Sequence, residues 1–272
     1  MLGAGTNTKQ TRRSQMALLN NKTLVVMGVA NKWSIAWGIA RNFHQQEGKL
    51  IFTYFGDRSK RSLEKLLDSE GMTGCDLISC DVTSDESIDA AFAEIQSKYD
   101  KIDGLTHCIA HAKKEELMGN YYDTSRDGYA MAQDISAYSL VAVTKRAVPL
   151  MKEGGSITTL SYLGAEKAIK NYNVMGVAKA ALEASVRFLA VDAGAHNIRV
   201  NAISAGPVKT LAAKGVGEFE KIAERYKEAA PMRRMATVDE IAGAAVFLAS
   251  DLGSGVTGEV LHVDCGYNVV GV

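Results

Sequence analysis

Tyr172 and Lys179 are the two side chains of this sequence whose types and spacing most clearly suggest chemistry. They lie in NYNVMGVAKAALEASVRFLAVD (171–192), a segment rich in Ala and Leu that is predicted to be helical. A separation of seven residues is roughly two helical turns, so both side chains are predicted to share one face. A lysine beside a phenol lowers the pKa of the phenol, and it can also bind ribose hydroxyls. The structural alternative is an ordinary amphipathic helix with a buried Tyr and an exposed Lys.

The first strand-to-helix junction, GVANKWSIAWG (28–38), has features of a phosphate site. Gly28 ends a strand where a larger side chain would block a pyrophosphate, and the helix that begins near Ser34 offers free N–H groups and a favourable dipole. The G-x-G-x-x-G fingerprint is absent, because Ser34 and Ala36 stand where glycines are expected. A glycine turn followed by a serine N-cap would explain the same residues.

Two further strand ends favour a dinucleotide site. KLIFTY (49–54) is followed by Phe55, where the adenosine ribose would lie, and CDLISC (75–80) is followed by Asp81 and Val82, which could flank adenine. Asp81 followed by Thr83 and Ser84 also fits a cluster of N-cap residues. Because three strand ends meet at one edge of a parallel sheet, the sequence predicts dinucleotide binding there.

The elements that carry these residues alternate between short apolar runs and longer helical segments. Val, Ile and Leu follow one another in several runs, which is typical of parallel strands covered on both faces. The sequence therefore predicts a single doubly wound α/β domain of the Rossmann type over residues 19–272, after a disordered extension or vector remnant at 1–18. The predicted strands are 23–28, 49–54, 75–80, 104–110, 155–160, 198–203 and 259–264, and the predicted helices include 34–47, 58–70, 84–99, 123–150 and 171–192.

Composition excludes several classes of function. Lys and Arg together number 31, as do Asp and Glu, so no net charge favours nucleic acid. No apolar run of eighteen residues predicts a membrane span. The four cysteines form no C-x-x-C pair, so no metal is expected, and free thiols fit a cytoplasmic location. His107 and His111 flank a strand end and are interpreted as structural or loop residues.

Longer motifs around the tyrosine and lysine resemble a known family. SYLGAEKAIKNYNVMGVAKAALEA, IRVNAISAGPVKTLAAKG and GVTGEVLHVD are similar to enoyl-acyl-carrier-protein reductases of the short-chain dehydrogenase/reductase superfamily, as are the first junction and DISAYSL (134–140). The resemblance extends from Leu19 to Val270. Ordinary members of the superfamily carry Tyr-x-x-x-Lys, but Met175 stands four residues before Lys179, and the longer spacing from Tyr172 is that of the enoyl reductases.

The resemblance implies hydride transfer from a nicotinamide to the β-carbon of a trans-2-enoyl thioester carried by acyl carrier protein. Tyr172 would stabilise the enolate, Lys179 would hold the nicotinamide ribose, and Tyr162 would be a second tyrosine near the substrate. A mobile substrate lid is implied at about 205–230, and a homotetramer is implied through helices at 123–150 and 171–193. The implied cofactor contacts are Gly28, Ser34, Ile35, Phe55, Asp81, Val82, Ala110, Lys179 and Val208, and the implied substrate contacts are Ala112, Tyr162, Tyr172, Leu211 and Phe219.

Some residues depart from the family, and two other functions remain open. Phe55 and Gly56 stand where NADPH-preferring relatives have basic residues, so NADH is favoured, although Arg58, Lys60 and Arg61 are close by. His111 replaces a family Phe. A ketoacyl or other carbonyl reductase would need Tyr-x-x-x-Lys, which Met175 argues against. A catalytically silent cofactor-binding protein would typically have lost the tyrosine or the lysine.

Overall fold

A seven-stranded parallel sheet forms the centre of the protein in a computed structural model, which describes residues 17–208 and 219–271. The strand order is β3-β2-β1-β4-β5-β6-β7. This order reverses direction between β1 and β4, which makes their carboxyl ends a topological switch point. The predicted doubly wound Rossmann-type fold is confirmed. The strands are β1 (Thr23–Met27), β2 (Lys49–Tyr54), β3 (Asp76–Ser79), β4 (Gly104–His107), β5 (Gly155–Ser161), β6 (Ile198–Ala205) and β7 (Val260–Val263).

Alternation along the strands divides the apolar side chains between two cores, one on each face of the sheet. On β1, Val25 and Met27 belong to one core, whereas Leu24 and Val26 belong to the other. Val25 is in register with Ile51 of β2. Since both faces are covered, consecutive positions on β1 are apolar, which explains the continuous apolar runs of such strands in the sequence.

Eight α-helices in the described residues pack on the two faces of this sheet. Several begin at a residue whose side chain caps the first turn, and Thr237 forms a capping box with Glu240. The helices are α1 (Ile35–Gln45), α2 (Gly56–Glu70), α3 (Asp85–Lys98), α4 (Arg126–Gln133), α5 (Ser139–Ala147), α6 (Asn173–Gly194), α7 (Phe219–Ala229) and α8 (Val238–Ala249). None of those helices is long and apolar enough to cross a bilayer.

The predicted helical segment at 123–150 is divided into several shorter elements. The segment contains α4, a π-helical turn at Asp134–Tyr138, α5, and a 3-10 turn at Val148–Leu150. In the π turn, the Ser139 hydroxyl donates to the carbonyl oxygen of Ile135 at 2.7 Å. An inserted residue of this kind redirects the side chains on one face of a helix, and here it turns Ser136 toward the loop after β4.

Candidate active site

The carboxyl end of β1 requires a glycine. Gly28 has φ +85, and a Cβ atom at this position would lie 2.2 Å from the carbonyl oxygen of Cys108 on the neighbouring strand end. Any larger residue would therefore collide with backbone and would also adopt an unfavourable left-handed conformation. The sequence assigned Gly28 to close ligand approach, and the structure shows that packing between β1 and β4 alone already demands it.

A cavity of about 460 Å³ opens beside Gly28 at the switch point. This volume lies in the range of cofactor and ligand pockets. Its walls include Phe55, Asp81 and Val82, so the cavity brings together four of the predicted cofactor residues, which come from three strand ends. His111, the residue that departs from the family pattern, also lines the cavity. The apolar walls and the carboxylate suit the adenosine half of a dinucleotide.

Ser34 and Asp81 both take part in local turns. The Ser34 hydroxyl accepts from the N–H of Trp37 at 3.3 Å and donates to the carbonyl of Asn31 at 2.7 Å, so it is the N-cap of α1. Asp81 accepts from the N–H and the hydroxyl of Thr83, whereas Ser84 caps α3. Ile35 is the first residue of α1. These contacts fix the helix ends whose free N–H groups face the carboxyl edge of the sheet.

The loop after β4 is held by the π turn. The Ser136 hydroxyl donates to the carbonyl of His111 at 3.0 Å and accepts from its N–H at 2.9 Å. Ala110 is exposed on this loop, and Ala112 is half-buried. After β6, the Val208 side chain is buried in the core, which leaves its backbone for any ligand contact. Sequence reasoning did not find Ser136, because its role depends on the π turn.

Tyr172 and Tyr162 meet at the end of β5. Tyr162 directly follows the strand, and its ring centroid lies 5.0 Å from that of Tyr172 in an edge-on arrangement at 76°. Tyr172 is the N-cap of α6, so the prediction that it lies within that helix is wrong by one position. Gly164 gives the ring its space, because a Cβ there would lie 2.4 Å from Tyr172.

Lys179 is buried, with only 6% of its surface exposed. Its Nζ donates to the carbonyl oxygen of Leu160 at 2.8 Å. Burial lowers the pKa of Lys179 to about 8 and raises the pKa of Tyr172 well above its ordinary value. The expectation that lysine lowers the pKa of the phenol is therefore wrong, because desolvation outweighs any attraction. Tyr172 is a protonated hydrogen-bond donor at neutral pH.

His107 completes a buried polar network beneath the site. Its Nε2 lies 2.8 Å from the Ser139 hydroxyl and its Nδ1 lies 3.0 Å from the Thr159 hydroxyl. Ser139 also donates to the carbonyl of Ile135, and Thr159 also donates to the carbonyl of His107 itself. Burial lowers the pKa of His107 to about 3, so the ring is neutral. The predicted structural role of this histidine is confirmed.

Tyr226, on the helix assigned to the lid, was missed by sequence reasoning. It is 3% exposed and its ring stacks on Tyr267 with centroids 3.8 Å apart. The Tyr226 hydroxyl is buried without a hydrogen bond of good geometry, and it is electrostatically coupled to Tyr162 and Asp264. The other lid predictions are not described: Leu211 lies outside the described residues, and only the backbone of Phe219 is described, as the start of α7. Among the described residues, no group of three or more His, Cys, Asp or Glu side chains could hold a metal ion.

Together, the sheet order, the crevice beside Gly28 and the tyrosine–lysine end define a Rossmann-type protein of the short-chain dehydrogenase/reductase class. A family model described as Enoyl-(Acyl carrier protein) reductase matches residues 28–268. The NADH enoyl-acyl-carrier-protein reductase FabI of Bacillus cereus is 56% identical over 257 residues, covering 94% of this chain and 100% of the relative. The NADPH enzyme FabI of Staphylococcus aureus is 51% identical, with 94% and 100% coverage. The chain belongs to the enoyl-acyl-carrier-protein reductase family.

Solved structures agree with this assignment. The Bacillus cereus enoyl-acyl carrier protein reductase, solved with NADP+ and an indole naphthyridinone, superposes with a TM-score of 0.93 at 55% identity, covering 94% of this chain and all of that one. The Anaplasma phagocytophilum reductase, solved with NAD, has a TM-score of 0.88 at 46% identity, covering 94% of this chain and 95% of that one.

Proposed function

We propose that the protein reduces the trans-2 double bond of enoyl thioesters on acyl carrier protein, in the last step of each cycle of fatty acid elongation. A hydride is added to the β-carbon, the electron pair of the double bond moves to the thioester oxygen as an enolate, and a proton is then added to the α-carbon. The observation that carries the proposal is the buried end of β5, where Tyr162 packs against Tyr172 and Lys179 binds the Leu160 carbonyl, with the Tyr-x6-Lys spacing of enoyl reductases.

Tyr172 stabilises the enolate in this proposal. Its phenol is protonated, because burial raises its pKa, so it can donate to the thioester oxygen as negative charge develops there. A donor already fixed in a water-poor site is worth about 10²–10³ in kcat. In this proposal Tyr162, which packs edge-on against Tyr172, also binds the substrate, and the other proposed substrate residues are Ala112, Leu211 and Phe219.

Lys179 would hold the ribose next to the nicotinamide, and a bound reduced nicotinamide would supply the hydride. The ammonium also keeps the local potential positive, which favours an enolate over its neutral precursor. The remaining cofactor contacts in this proposal are Gly28, Ser34, Ile35, Phe55, Asp81, Val82, Ala110 and Val208.

NADH is the preferred cofactor in our proposal. Phe55 is 65% exposed at the cavity that would receive the adenosine, and Gly56 adds no side chain beside it. A 2′-phosphate at that position would find no guanidinium or ammonium from these two residues, whereas a 2′-hydroxyl needs none. Lys60, one of the basic residues close to Phe55 in the sequence, lies over the ring of Tyr54, with its Nζ 5.8 Å from the ring centroid.

Acyl carrier protein and further copies of the chain are the proposed partners. Phe188 and Val191, on one face of α6, are 76% and 78% exposed. Large apolar side chains of this kind on a helix are typical of a covered interface, which supports a homotetramer. A cytoplasmic location is part of the same proposal.

The test follows reduced-nicotinamide absorbance while trans-2-octenoyl thioester is added, with NADH and NADPH in parallel. We expect oxidation with NADH, and Tyr172→Phe should lower kcat by about 10²-fold because one oxyanion donor is lost, with NADH affinity unchanged. A β-ketoacyl thioester is the control substrate and should give no oxidation. Oxidation with the ketoacyl thioester alone would refute the proposal in favour of a carbonyl reductase, and NADH binding without any turnover would favour a silent cofactor-binding protein.

A further inference from the structure

The end of β5 is held by two side chains that lie one turn apart on α6. Lys179 donates to the carbonyl oxygen of Leu160 at 2.8 Å. Glu183 accepts from the hydroxyl of the next residue, Ser161, at 2.5 Å. Residues four apart on a helix are neighbours on its surface. The two side chains of α6 therefore bind Leu160 and Ser161, the two residues immediately before Tyr162.

Glu183 is as deeply buried as the lysine beside it. Glu183 is 7% exposed and Lys179 is 6% exposed, while Ser161 is 5% exposed. A carboxylate in such a position is costly unless it is hydrogen-bonded and faces positive charge. The described residues make no ion pair shorter than 4.0 Å between Lys179 and Glu183, so the two charges interact through space while each binds β5.

We propose that Glu183 is a positioning residue of the active site, whose buried carboxylate holds Ser161 and keeps the Lys179 side chain in its ammonium form. Glu183 touches neither the substrate nor the cofactor in this proposal and acts only through Ser161 and Lys179. Its consequence for catalysis rests on the proposed function, whereas the electrostatic link itself can be tested on the free protein.

The groups that face Lys179 support a special role for the carboxylate. His107 and Cys108 face it from the end of β4, and Glu183 faces it from α6. His107 is neutral, because burial lowers its pKa to about 3, and Cys108 is a neutral thiol, because burial raises its pKa to about 12. When Lys179 titrates near pH 8, Glu183 is therefore the negative charge that acts on it among these described groups.

The surroundings of Glu183 determine whether it is ionised. Burial and the neighbouring Glu166 raise its pKa, whereas the Ser161 hydroxyl, His262 and Arg187 lower it. Glu166 is itself paired with His262 at 2.8 Å, which reduces its repulsion of Glu183. The Ser161 hydroxyl donates its single proton to the Glu183 carboxylate, as expected because an ionised carboxylate only accepts hydrogen bonds.

The test separates the charge of Glu183 from its hydrogen bond. Glu183→Gln removes the charge but keeps an oxygen that can accept from Ser161. Ser161→Ala removes the hydrogen bond but keeps the charge. Asp192→Asn is the matched control, because it removes an exposed carboxylate from the same helix. The readout is the titration of the Lys179 ¹³Cε resonance in free protein labelled with ¹³C-lysine, assigned by its loss in Lys179→Arg.

We expect the Lys179 midpoint to fall by up to about one pH unit in Glu183→Gln, the order of magnitude for the loss of one nearby charge at an effective dielectric constant near 20. Ser161→Ala and Asp192→Asn should leave the midpoint within a few tenths of a unit of wild type. An unchanged midpoint in Glu183→Gln would overturn the proposal, as would an equal fall in Ser161→Ala. If Glu183→Gln does not fold, Glu183→Asp is the alternative, because its shorter side chain keeps the charge but moves it away from Lys179. The midpoint should then show a smaller fall in the same direction, and no fall would again overturn the proposal.

This readout stays valid whatever the enzyme reduces, because no substrate or cofactor is present. If the enoyl reductase function also holds, the basic limb of the kcat/KM profile in Glu183→Gln should move to lower pH by the same amount as the resonance. Failure of turnover in wild type with an intact shift in the resonance would reject the function and keep the electrostatic link.

Discussion

The two ends of the crevice are built by different physical means. At the dinucleotide end, the backbone makes the site: Gly28 leaves room at a strand end, and turns at Ser34 and Asp81 fix the helix ends. At the tyrosine–lysine end, side chains make the site, and burial sets their protonation states. The first end should therefore be most sensitive to added atoms, and the second to changes in charge and pH.

The largest effect is expected at the dinucleotide end, from Gly28→Ala. The added methyl group would lie 2.2 Å from the Cys108 carbonyl at φ +85, so we expect a loss of about 2–4 kcal/mol in the free energy of unfolding and loss of measurable NADH binding. Urea unfolding and cofactor fluorescence measure the two effects. Gly71→Ala is the control, because Gly71 has φ +67 with no atom within 4 Å and should lose only about 1 kcal/mol. Equal losses in the two variants would contradict the packing argument.

The tyrosine–lysine end should instead respond to pH. Burial lowers the pKa of Lys179 to about 8, so the ammonium is present below that pH and is lost as the pH rises through it. We expect NADH affinity to be constant below pH 8 and to weaken by about tenfold per unit above it, as required for one titrating group. The dissociation constant for NADH, measured by fluorescence from pH 6.5 to 9.5, tests this.

Lys179→Arg is the control for that profile, because a guanidinium stays charged throughout the range. Its NADH affinity, although altered in magnitude, should not fall between pH 8 and 9.5. A flat profile in wild type would mean that the ammonium does not contribute to cofactor binding.

The burial of Lys179 also makes folding more favourable as the pH rises above about 8, because the unfolded chain retains the proton to higher pH than the folded one.

Sequence reasoning succeeded where a property is local. The alternation of short strand-like runs with helical segments predicted all seven strands, and several of these runs are continuously apolar because both faces of the sheet are covered. The site predicted from the spacing of Tyr172 and Lys179 stays a prediction. The π turn within 123–150 was not predicted, since it depends on Ser136 reaching the distant loop at His111. The direction of the Tyr172 pKa was also wrong, because the sequence does not state how deeply a phenol is buried.

A smaller effect is expected from changing the cofactor preference through Phe55, at the dinucleotide end. Phe55→Arg introduces a guanidinium beside the cavity, and we expect the preference for NADPH over NADH to rise about tenfold, since hydrogen bonds to charged groups contribute about 1.5–3 kcal/mol. The ratio of kcat/KM values for the two cofactors measures the change. Phe55→Gln, which adds a polar but uncharged group, should leave the ratio nearly unchanged. A constant ratio in Phe55→Arg would mean that the 2′ position lies elsewhere.

The smallest effect is expected at Tyr226 of α7. Its ring is buried and stacked, but its hydroxyl lacks a hydrogen bond of good geometry. Tyr226→Phe removes the cost of taking a poorly hydrogen-bonded hydroxyl out of water on folding, so it should leave the free energy of unfolding unchanged or raise it by up to about 1 kcal/mol. Tyr99→Phe is the matched control, because that hydroxyl donates to Asp76 at 2.6 Å and its loss should cost about 1–2 kcal/mol. If Tyr226→Phe lowers the free energy of unfolding more than Tyr99→Phe does, the Tyr226 hydroxyl has a hydrogen-bond partner in solution. The neighbouring hydroxyl of Tyr162 would then be the first candidate.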